Sequence, residues 1–264
     1  MFHFFDVSAG IISVNLECKL ITSRYMTITI NCRWEYNKLK MGKLLMIITD
    51  NALELPTLWY HGTLDIAVPS LKAGIDLSKG REAVDFGPGF YLTTNYEQAA
   101  IQAKKKVYRH NLFEDKERRK AKKKGSVYRP KYSHRGAVLT YFLSTESLAE
   151  CKNPLFFKNR GTGWSLFVLG NRCTNPDALG IDFHNRSRNF DFVYGPLADG
   201  YDIPTLIGYV ENKEMSIEEF LDKISEAFDF PEKNQLSVHT EEAKECLILS
   251  EVKYIETSTR VRTR

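Results

Sequence analysis

Residues 58–77 read LWYHGTLDIAVPSLKAGIDL and residues 85–99 read DFGPGFYLTTNYEQA, and these two stretches decide the fold. The first stretch is predicted to be an apolar strand that delivers His61 and then Gly62. Because glycine has no side chain, a ligand can approach the backbone N–H and C=O groups of Gly62 closely. This stretch therefore offers an imidazole beside an open backbone edge.

The second stretch turns at Gly87, Pro88 and Gly89 and then enters a strand that begins with Phe90 and Tyr91. Successive residues of a strand face opposite sides of the sheet, so one of these two rings must point inward. The second stretch therefore supplies an aromatic face to set against the imidazole of the first.

Strands and helices are mixed in the rest of the chain without a βαβ rhythm. Thr94 and Ser216 each precede a glutamate by three residues, which is the pattern of a capping box, and Thr240 precedes an acidic first turn. Helices are predicted after these three residues, the first of them through 98–106, and strands over 138–143, 190–194 and 236–239. This order predicts an α+β fold with antiparallel pairing.

The chain is divided into three segments. Apolar and polar residues alternate over 13–20 and 26–34, which predicts a β-hairpin within an N-terminal extension, residues 1–55. Met41 is an alternative start of the protein. Residues 56–250 are predicted to form the main domain, and residues 251–264 a C-terminal tail.

The net charge of +4 hides an uneven distribution along the 264 residues. Residues 104–135 hold 14 lysines and arginines against three acidic residues, a net charge of +11, so the remainder carries −7. This basic insertion has two interpretations. It is a surface for nucleic acid or an acidic protein, aided by Tyr108, Tyr128 and Tyr132, or it is a solvated helix face with charges paired at helical spacing.

Several classes of protein are excluded by pattern. The five cysteines form no CxxC or CxxH pair, which argues against a zinc site or a disulfide framework and fits a reducing compartment. No apolar run approaches the roughly 18–20 residues of a membrane span, and no signal peptide is recognisable. Walker A, GxGxxG, HExxH and GxSxG motifs are absent. The expectation is a cytoplasmic protein with neither a metal nor a membrane partner.

The two opening stretches resemble the NAD signature of the PARP-like ADP-ribosyltransferase superfamily, in which a His-Gly pair on one strand is followed by a Phe-Gly-x-Gly turn and a tyrosine. The chain is most similar to a little-characterised bacterial branch of that superfamily. Three further blocks match in the same order: GWSLFVLGNR (163–172), FDFVYGPLAD (190–199) and NQLSVHTEEA (234–243). The resemblance implies a split β-sandwich of two antiparallel sheets with flanking helices, and NAD in the cleft between the sheets.

The resemblance also implies roles for individual residues. His61 would bind the ribose on the adenosine side of NAD, and the backbone of Gly62 would hold the nicotinamide carboxamide. Tyr91 would stack on the nicotinamide ring. Thr63 and Phe90 belong to the same NAD-binding set, and no metal is implied.

At the position of the superfamily's catalytic glutamate this chain has Gln235. A glutamine oxygen accepts a hydrogen bond from a ribose hydroxyl, but it supplies no negative charge to the cationic ribose that forms as nicotinamide leaves. Polymer formation is therefore not expected. Glu241, Glu211 and Asp199 are candidates to supply a carboxylate if the fold brings one of them close.

The resemblance thus implies NAD-dependent mono-ADP-ribosyl transfer, a glycosyltransferase activity, with His61, Tyr91 and Gln235 as the catalytic set. The acceptor, protein or nucleic acid, is left open. One alternative is a catalytically weak NAD-binding or interaction module. The other is a nucleic-acid-binding protein that uses the basic insertion.

Overall fold

The computed structural model describes residues 4–7, 10–22, 25–34, 47–48, 53–144, 147, 151–198, 202–225 and 233–256, with side chains from Leu55 onward. The chain separates into two compact units, Met1–Thr57 and Leu58–Arg264. Cys18, Cys32 and Asp199 lie outside the residues whose side chains are described.

The N-terminal unit is a five-stranded sheet of β1 (Phe4–Val7), β2 (Gly10–Thr22), β3 (Tyr25–Trp34), β4 (Ile47–Ile48) and β5 (Leu53–Pro56). The segments predicted to form a hairpin are β2 and β3, which pair antiparallel from Ile12–Trp34 to Thr22–Tyr25. Because β1, β4 and β5 extend this pair, it is not an isolated hairpin, which would be marginal in water.

The second unit contains seven strands: β6 (Leu58–Leu64), β7 (Phe90–Thr93), β8 (Arg135–Leu143), β9 (Pro154–Phe156), β10 (Phe192–Pro196), β11 (Asn234–Val238) and β12 (Leu247–Glu256). They form one sheet in the order β12-β8-β6-β7-β11-β10-β9. Strand β12 continues to Glu256, so the segment predicted as a tail begins inside the sheet.

Among the described residues, six helices accompany this sheet: α1 (Val68–Ala73), α2 (Tyr96–Lys123), α3 (Thr162–Arg172), α4 (Ile203–Glu211), α5 (Ile217–Ser225) and α6 (Glu241–Glu245). Short 3₁₀ turns occur at Asp65–Ala67, Leu77–Lys79 and Asp177–Leu179. The α+β prediction is confirmed.

The sheet differs from the expected pair of antiparallel sheets. It is continuous, and it is mixed because β9 and β10 run parallel. A long crossover that includes α3 connects them, and parallel neighbours require such a connection. The two halves of the sheet are joined by a single backbone pair, Tyr60–Thr93, between β6 and β7. By contrast, β6 pairs with β8 along its whole length.

Two of the three predicted helix caps form, and the third is replaced by the adjacent residue. The Ser216 hydroxyl accepts from the N–H of Glu219, whose carboxylate accepts from the N–H of Ser216, so that capping box is confirmed. Thr240 caps α6 as predicted. The prediction that Thr94 caps α2 was wrong: Asn95 is the cap, and its Oδ1 accepts from the N–H of Gln98 at 3.0 Å. Asparagine is a stronger cap than threonine.

A buried aromatic core lies against the β7–β11–β10 side of the sheet. Phe86, Phe157, Trp164 and Phe167 pack together with apolar residues of α3, α4 and α5. The indole N–H of Trp164 donates to the carbonyl of Pro196, which satisfies the one polar atom of that side chain. The described cysteines, Cys151, Cys173 and Cys246, are buried thiols, and the Sγ atoms of Cys151 and Cys246 lie 3.7 Å apart. This core fixes the turn that precedes β7.

Candidate functional site

A cleft of about 700 Å³ opens where β6 and β7 diverge beyond their single shared pair. All six residues predicted for the site line it: His61, Gly62, Thr63, Phe90, Tyr91 and Gln235. Thr93 explains this convergence, because it is the register partner of both Tyr60 and Gln235. The predicted site residues thus come from three adjacent strands.

His61 spans the gap that the backbone ladder leaves open. Its Nδ1 lies 2.7 Å from the carbonyl oxygen of Tyr91, and since a carbonyl only accepts, Nδ1 carries the proton. The ring stacks on Phe90, with the ring centroids 4.3 Å apart. Burial, together with the nearby Lys106, lowers the pKa of His61 well below its usual value. The imidazole is therefore neutral at pH 7, and its tautomer is fixed.

Lys106 is a cleft residue that the sequence prediction missed. Its Nζ donates to the carbonyl oxygen of Gly62 at 2.6 Å and lies 3.3 Å from Nε2 of His61. Burial, followed by the positive charge of Arg81, lowers the pKa of Lys106 to about 8. Lys106 belongs to the basic insertion, and nothing in the composition of that segment distinguishes it from the lysines on the surface. Its helical spacing from Ala99, which is on the buried face of α2, could have revealed it.

The glycine at position 62 has a packing role as well as the expected one. A Cβ on Gly62 would lie 1.9 Å from the carbonyl oxygen of Ala99 and 2.9 Å from the N of Ala103, both on α2. The helix therefore crosses β6 at backbone distance, and no larger residue fits. The carbonyl oxygen of Gly62, which was expected to face a ligand, already accepts a hydrogen bond from Nζ of Lys106.

The hydroxyl of Tyr91 is tied to the turn before β7. It donates to the carbonyl of Gly87 at 2.7 Å and accepts from the N–H of Phe86 at 3.0 Å. Burial, with the neighbouring Asp85 carboxylate, raises the pKa of Tyr91 well above its usual value. Gly87 has a φ of 84°, a backbone conformation that favours glycine. The Tyr91 ring is therefore a fixed wall of the cleft, and its hydroxyl is not available as a base.

Gln235 faces a carboxylate that the sequence prediction did not foresee. Its Nε2 donates to Oδ2 of Asp85 at 2.7 Å, and both residues are at least 95% buried. The other oxygen of Asp85, Oδ1, accepts from the guanidinium of Arg172 at 2.5 and 2.6 Å. Asp85 is the first residue of the DFGPGFY stretch, but it was not predicted to belong to the site.

Of the three carboxylates considered for this place, the two that the structure describes do not supply it. Glu241 pairs with Lys244, and Glu211 accepts from the N–H of Thr174. Neither of them lines the cleft. Asp199, the third, is not among the described residues.

The basic insertion consists of most of α2 and a return segment, residues 124–134. Acidic side chains of the helix hold this segment: Glu114 accepts from the hydroxyl of Tyr128 and the N–H of Lys131, and Asp115 accepts from the hydroxyl of Tyr132. Two of the three tyrosines proposed to stack on bases are thus engaged in folding. Ion pairs at i,i+3 spacing, Asp115–Arg118 and Glu117–Lys120, match the solvated-face interpretation.

One face of α2 presents a basic groove lined by Leu112, Lys116, Arg119, Lys120 and Lys123, in which Lys120 is paired with Glu117. Within the described part of the chain no group of His, Cys, Asp and Glu side chains could hold a metal ion. In that same part, no helix combines the length and the apolar character that crossing a membrane requires.

Residues 58–249 match the model of a family described as a protein of unknown function, DUF3990. The chain belongs to the DUF3990 family. The matched DUF3990 segment starts at the first residue of β6 and ends within β12, so it contains every residue that lines the cleft. No curated protein and no solved structure matches the chain.

Proposed function

We propose that this DUF3990 protein cleaves the nicotinamide–ribose bond of NAD and transfers a single ADP-ribose unit to an acceptor. The observation that carries the proposal is the convergence of His61, Gly62, Tyr91 and Gln235 on one cleft. These residues lie up to 174 positions apart in the chain, and they were selected by the motif alone. The single backbone pair between β6 and β7 supports a split-sheet arrangement of the ADP-ribosyltransferase kind.

The cleft suits a dinucleotide in size and charge. Its volume of about 700 Å³ is within the range of small-molecule sites, roughly 300–1,000 Å³. Lys79, Arg81 and Lys106 line it and suit a diphosphate, since cations bind phosphate oxygens through charge-assisted hydrogen bonds. The N–H of a carboxamide that binds the carbonyl of Gly62 would share this acceptor with Lys106, because a carbonyl oxygen has two lone pairs.

In the proposed reaction the carbon–nitrogen bond breaks and its electron pair leaves with nicotinamide, which becomes neutral. The acceptor then gives an electron pair to the ribose carbon and loses its proton. His61 would hold the sugar as a neutral imidazole, and Tyr91 would form a wall beside the nicotinamide. Gln235 would accept a hydrogen bond from a ribose hydroxyl. Without a charge at position 235, transition-state stabilisation is reduced, by roughly 3 kcal/mol for a lost electrostatic contact of this kind.

A second candidate is NAD binding with little turnover. The two described carboxylates that line the cleft, Asp76 and Asp85, both lie within ion-pair distance of a cation, Lys79 and Arg172 respectively. No uncompensated negative charge among the described lining residues therefore opposes a cationic ribose. This observation favours slow chemistry and is the reason that we propose single transfer rather than polymer formation.

The test is incubation of the purified protein with NAD labelled in the adenosine moiety, with and without cell lysate. We expect released nicotinamide and label on an acceptor, and we expect His61→Ala to lower both at least tenfold. The control is His134→Ala, an exposed histidine outside the cleft. His61→Gln, which retains hydrogen-bonding atoms, guards against simple unfolding. Binding of NAD without nicotinamide release would leave the second candidate, and absence of both would refute the proposal.

A further inference from the structure

Asp85 and Gln235 form a buried pair at the wall of the cleft. Nε2 of Gln235 lies 2.7 Å from Oδ2 of Asp85, which also accepts from the N–H of Ala198 at 3.3 Å. Oδ1 of Asp85 is held by two nitrogens of Arg172. Both oxygens of the carboxylate therefore have fixed donors, and the carboxylate cannot turn without breaking several hydrogen bonds.

This arrangement decides which end of the Gln235 amide faces Asp85. An ionised carboxylate only accepts hydrogen bonds, so the amide nitrogen must point toward it. The amide oxygen, Oε1, then occupies the other end of the side chain, where it makes no hydrogen bond to a described residue. Since Gln235 lines the cleft, Oε1 is the atom offered to a ligand.

We propose that Asp85 is a positioning residue, which holds the Gln235 amide so that Oε1 is the hydrogen-bond acceptor for a sugar hydroxyl in the cleft. The inference rests on the proposed function, because that function supplies the sugar. Without Asp85, the amide could rotate by half a turn and present its NH₂ group, which donates two hydrogen bonds and accepts none.

The same pair explains why glutamine stands where the resemblance implies glutamate. A glutamate at position 235 would place a second carboxylate about 2.7 Å from Asp85, where two like charges cannot both stay ionised. The guanidinium of Arg172 is already bonded to the far oxygen of Asp85. As long as position 85 is aspartate, position 235 must therefore be a neutral donor.

This coupling makes an exchange of the two groups informative. In Asp85→Asn/Gln235→Glu, Nδ2 of residue 85 would donate to the new carboxylate, and Oδ1 would still accept from Arg172. The net charge, the number of carboxylates and the pair hydrogen bond are all retained, and the weak bond from Ala198 is lost. The second oxygen at position 235 would remain an acceptor that faces the cleft.

The experiment measures kcat and KM for nicotinamide release from NAD, the affinity for ADP-ribose, and the melting temperature at pH 5 and pH 8. The proteins are the full chain, Asp85→Asn, Gln235→Glu and the double variant. We expect Asp85→Asn to lower kcat about tenfold and to weaken ADP-ribose binding. Gln235→Glu should be less stable at pH 8 than at pH 5, relative to the parent, because one shared proton relieves the repulsion.

The double variant should recover the melting temperature at pH 8 and reach at least the parent kcat. An additional control is Asp222→Asn, an exposed carboxylate outside the cleft, which should leave kcat, ADP-ribose affinity and the pH dependence of the melting temperature as in the parent. If Asp85→Asn does not fold, the double variant still tests the coupling, because it keeps a carboxylate opposite an amide.

The possible outcomes separate the two proposals. Parent-like kcat and ADP-ribose affinity in Asp85→Asn, or a folded double variant no better than Gln235→Glu, would overturn the positioning role and leave the transferase proposal intact. ADP-ribose binding that Asp85→Asn weakens, without nicotinamide release by the parent, would support the positioning role and reject transfer. A parent that binds neither NAD nor ADP-ribose would overturn both.

Discussion

Lys106 donates a hydrogen bond to the carbonyl oxygen of Gly62 from a half-buried position in the cleft, at 2.6 Å. The positive charge of Arg81 adds to the effect of burial, and together they lower the pKa of Lys106 to about 8. An ammonium group that is desolvated beside a like charge opposes folding while it is protonated. The cleft therefore contains a charge that an anionic ligand would neutralise.

The first prediction concerns the alkaline pH dependence of stability. The folded-state pKa of Lys106 lies below the unfolded value of 10.5, so the unfolded chain binds more protons between pH 8 and 10.5. Relative to Lys106→Met, the free energy of unfolding of the parent should rise across this window by about 3 kcal/mol. Urea unfolding at pH 7.5, 9 and 10.5 measures it. Lys105→Met, at an exposed neighbour, should run parallel to the parent, and parallel curves for Lys106→Met would contradict the prediction.

The second prediction concerns acid. Burial lowers the pKa of His239 to about 4, while Nδ1 donates to the carbonyl of Pro88. The unfolded chain binds the proton first, so stability should fall from about pH 6.5 down to pH 4, by on the order of 3 kcal/mol for this group. In His239→Gln that part of the slope should vanish, although the variant is less stable at pH 7. Chemical unfolding at pH 7 and 4.5 tests this, with exposed His134→Gln as the control.

The third prediction compares two glycines. Gly62→Ala forces a Cβ to within 1.9 Å of the Ala99 carbonyl oxygen, so α2 must shift, and we expect destabilisation of about 3 kcal/mol or more. Gly208, in α4, has no atom within 4 Å of a built Cβ. Gly208→Ala should therefore stabilise by about 0.5–1 kcal/mol through helix propensity. Melting temperatures that change equally in the two variants would refute the packing role.

The fourth prediction concerns the return segment of the basic insertion. Glu114 accepts from the N–H of Lys131 and the hydroxyl of Tyr128, and these bonds, the one from Lys131 most strongly, lower its pKa. Glu114→Gln should weaken both bonds and accelerate tryptic cleavage after Lys131 several-fold. Glu117→Gln, which loses only an ion pair with Lys120, is the matched control. Equal cleavage rates in the two variants would show that Glu114 does not hold the segment.

The helix caps could be predicted from the sequence, because each depends only on residues that are close to it in the chain. The Ser216–Glu219 capping box and the Thr240 cap are determined within four residues, and both form. At the start of α2, Thr94 and Asn95 are adjacent and both are suitable caps. Asn95 is the cap that forms, because asparagine is preferred over threonine at this position.

Long-range pairing was beyond the reach of local patterns. The hydrogen bond between Asp85 and Gln235 spans 150 positions, and it depends on β7 and β11 being neighbours in the sheet. No periodicity encodes that adjacency. Lys106 was missed for another reason: it belongs to a strongly basic block that was expected to be solvated, whereas its side chain bonds to Gly62 of β6. The expectation of two sheets failed to anticipate the Tyr60–Thr93 pair that joins them.

Because β6 and β7 share that single pair, few backbone hydrogen bonds fix the width of the cleft between them. On most sheet edges, separating two strands means breaking a row of backbone hydrogen bonds at once. Here, beyond Tyr60, the strands are held mainly by the bond from His61 to the Tyr91 carbonyl, and one such bond contributes roughly 1 kcal/mol net. We therefore expect β6 and β7 to separate beyond Tyr60 at a lower free-energy cost than strands that are joined by a full ladder of backbone hydrogen bonds.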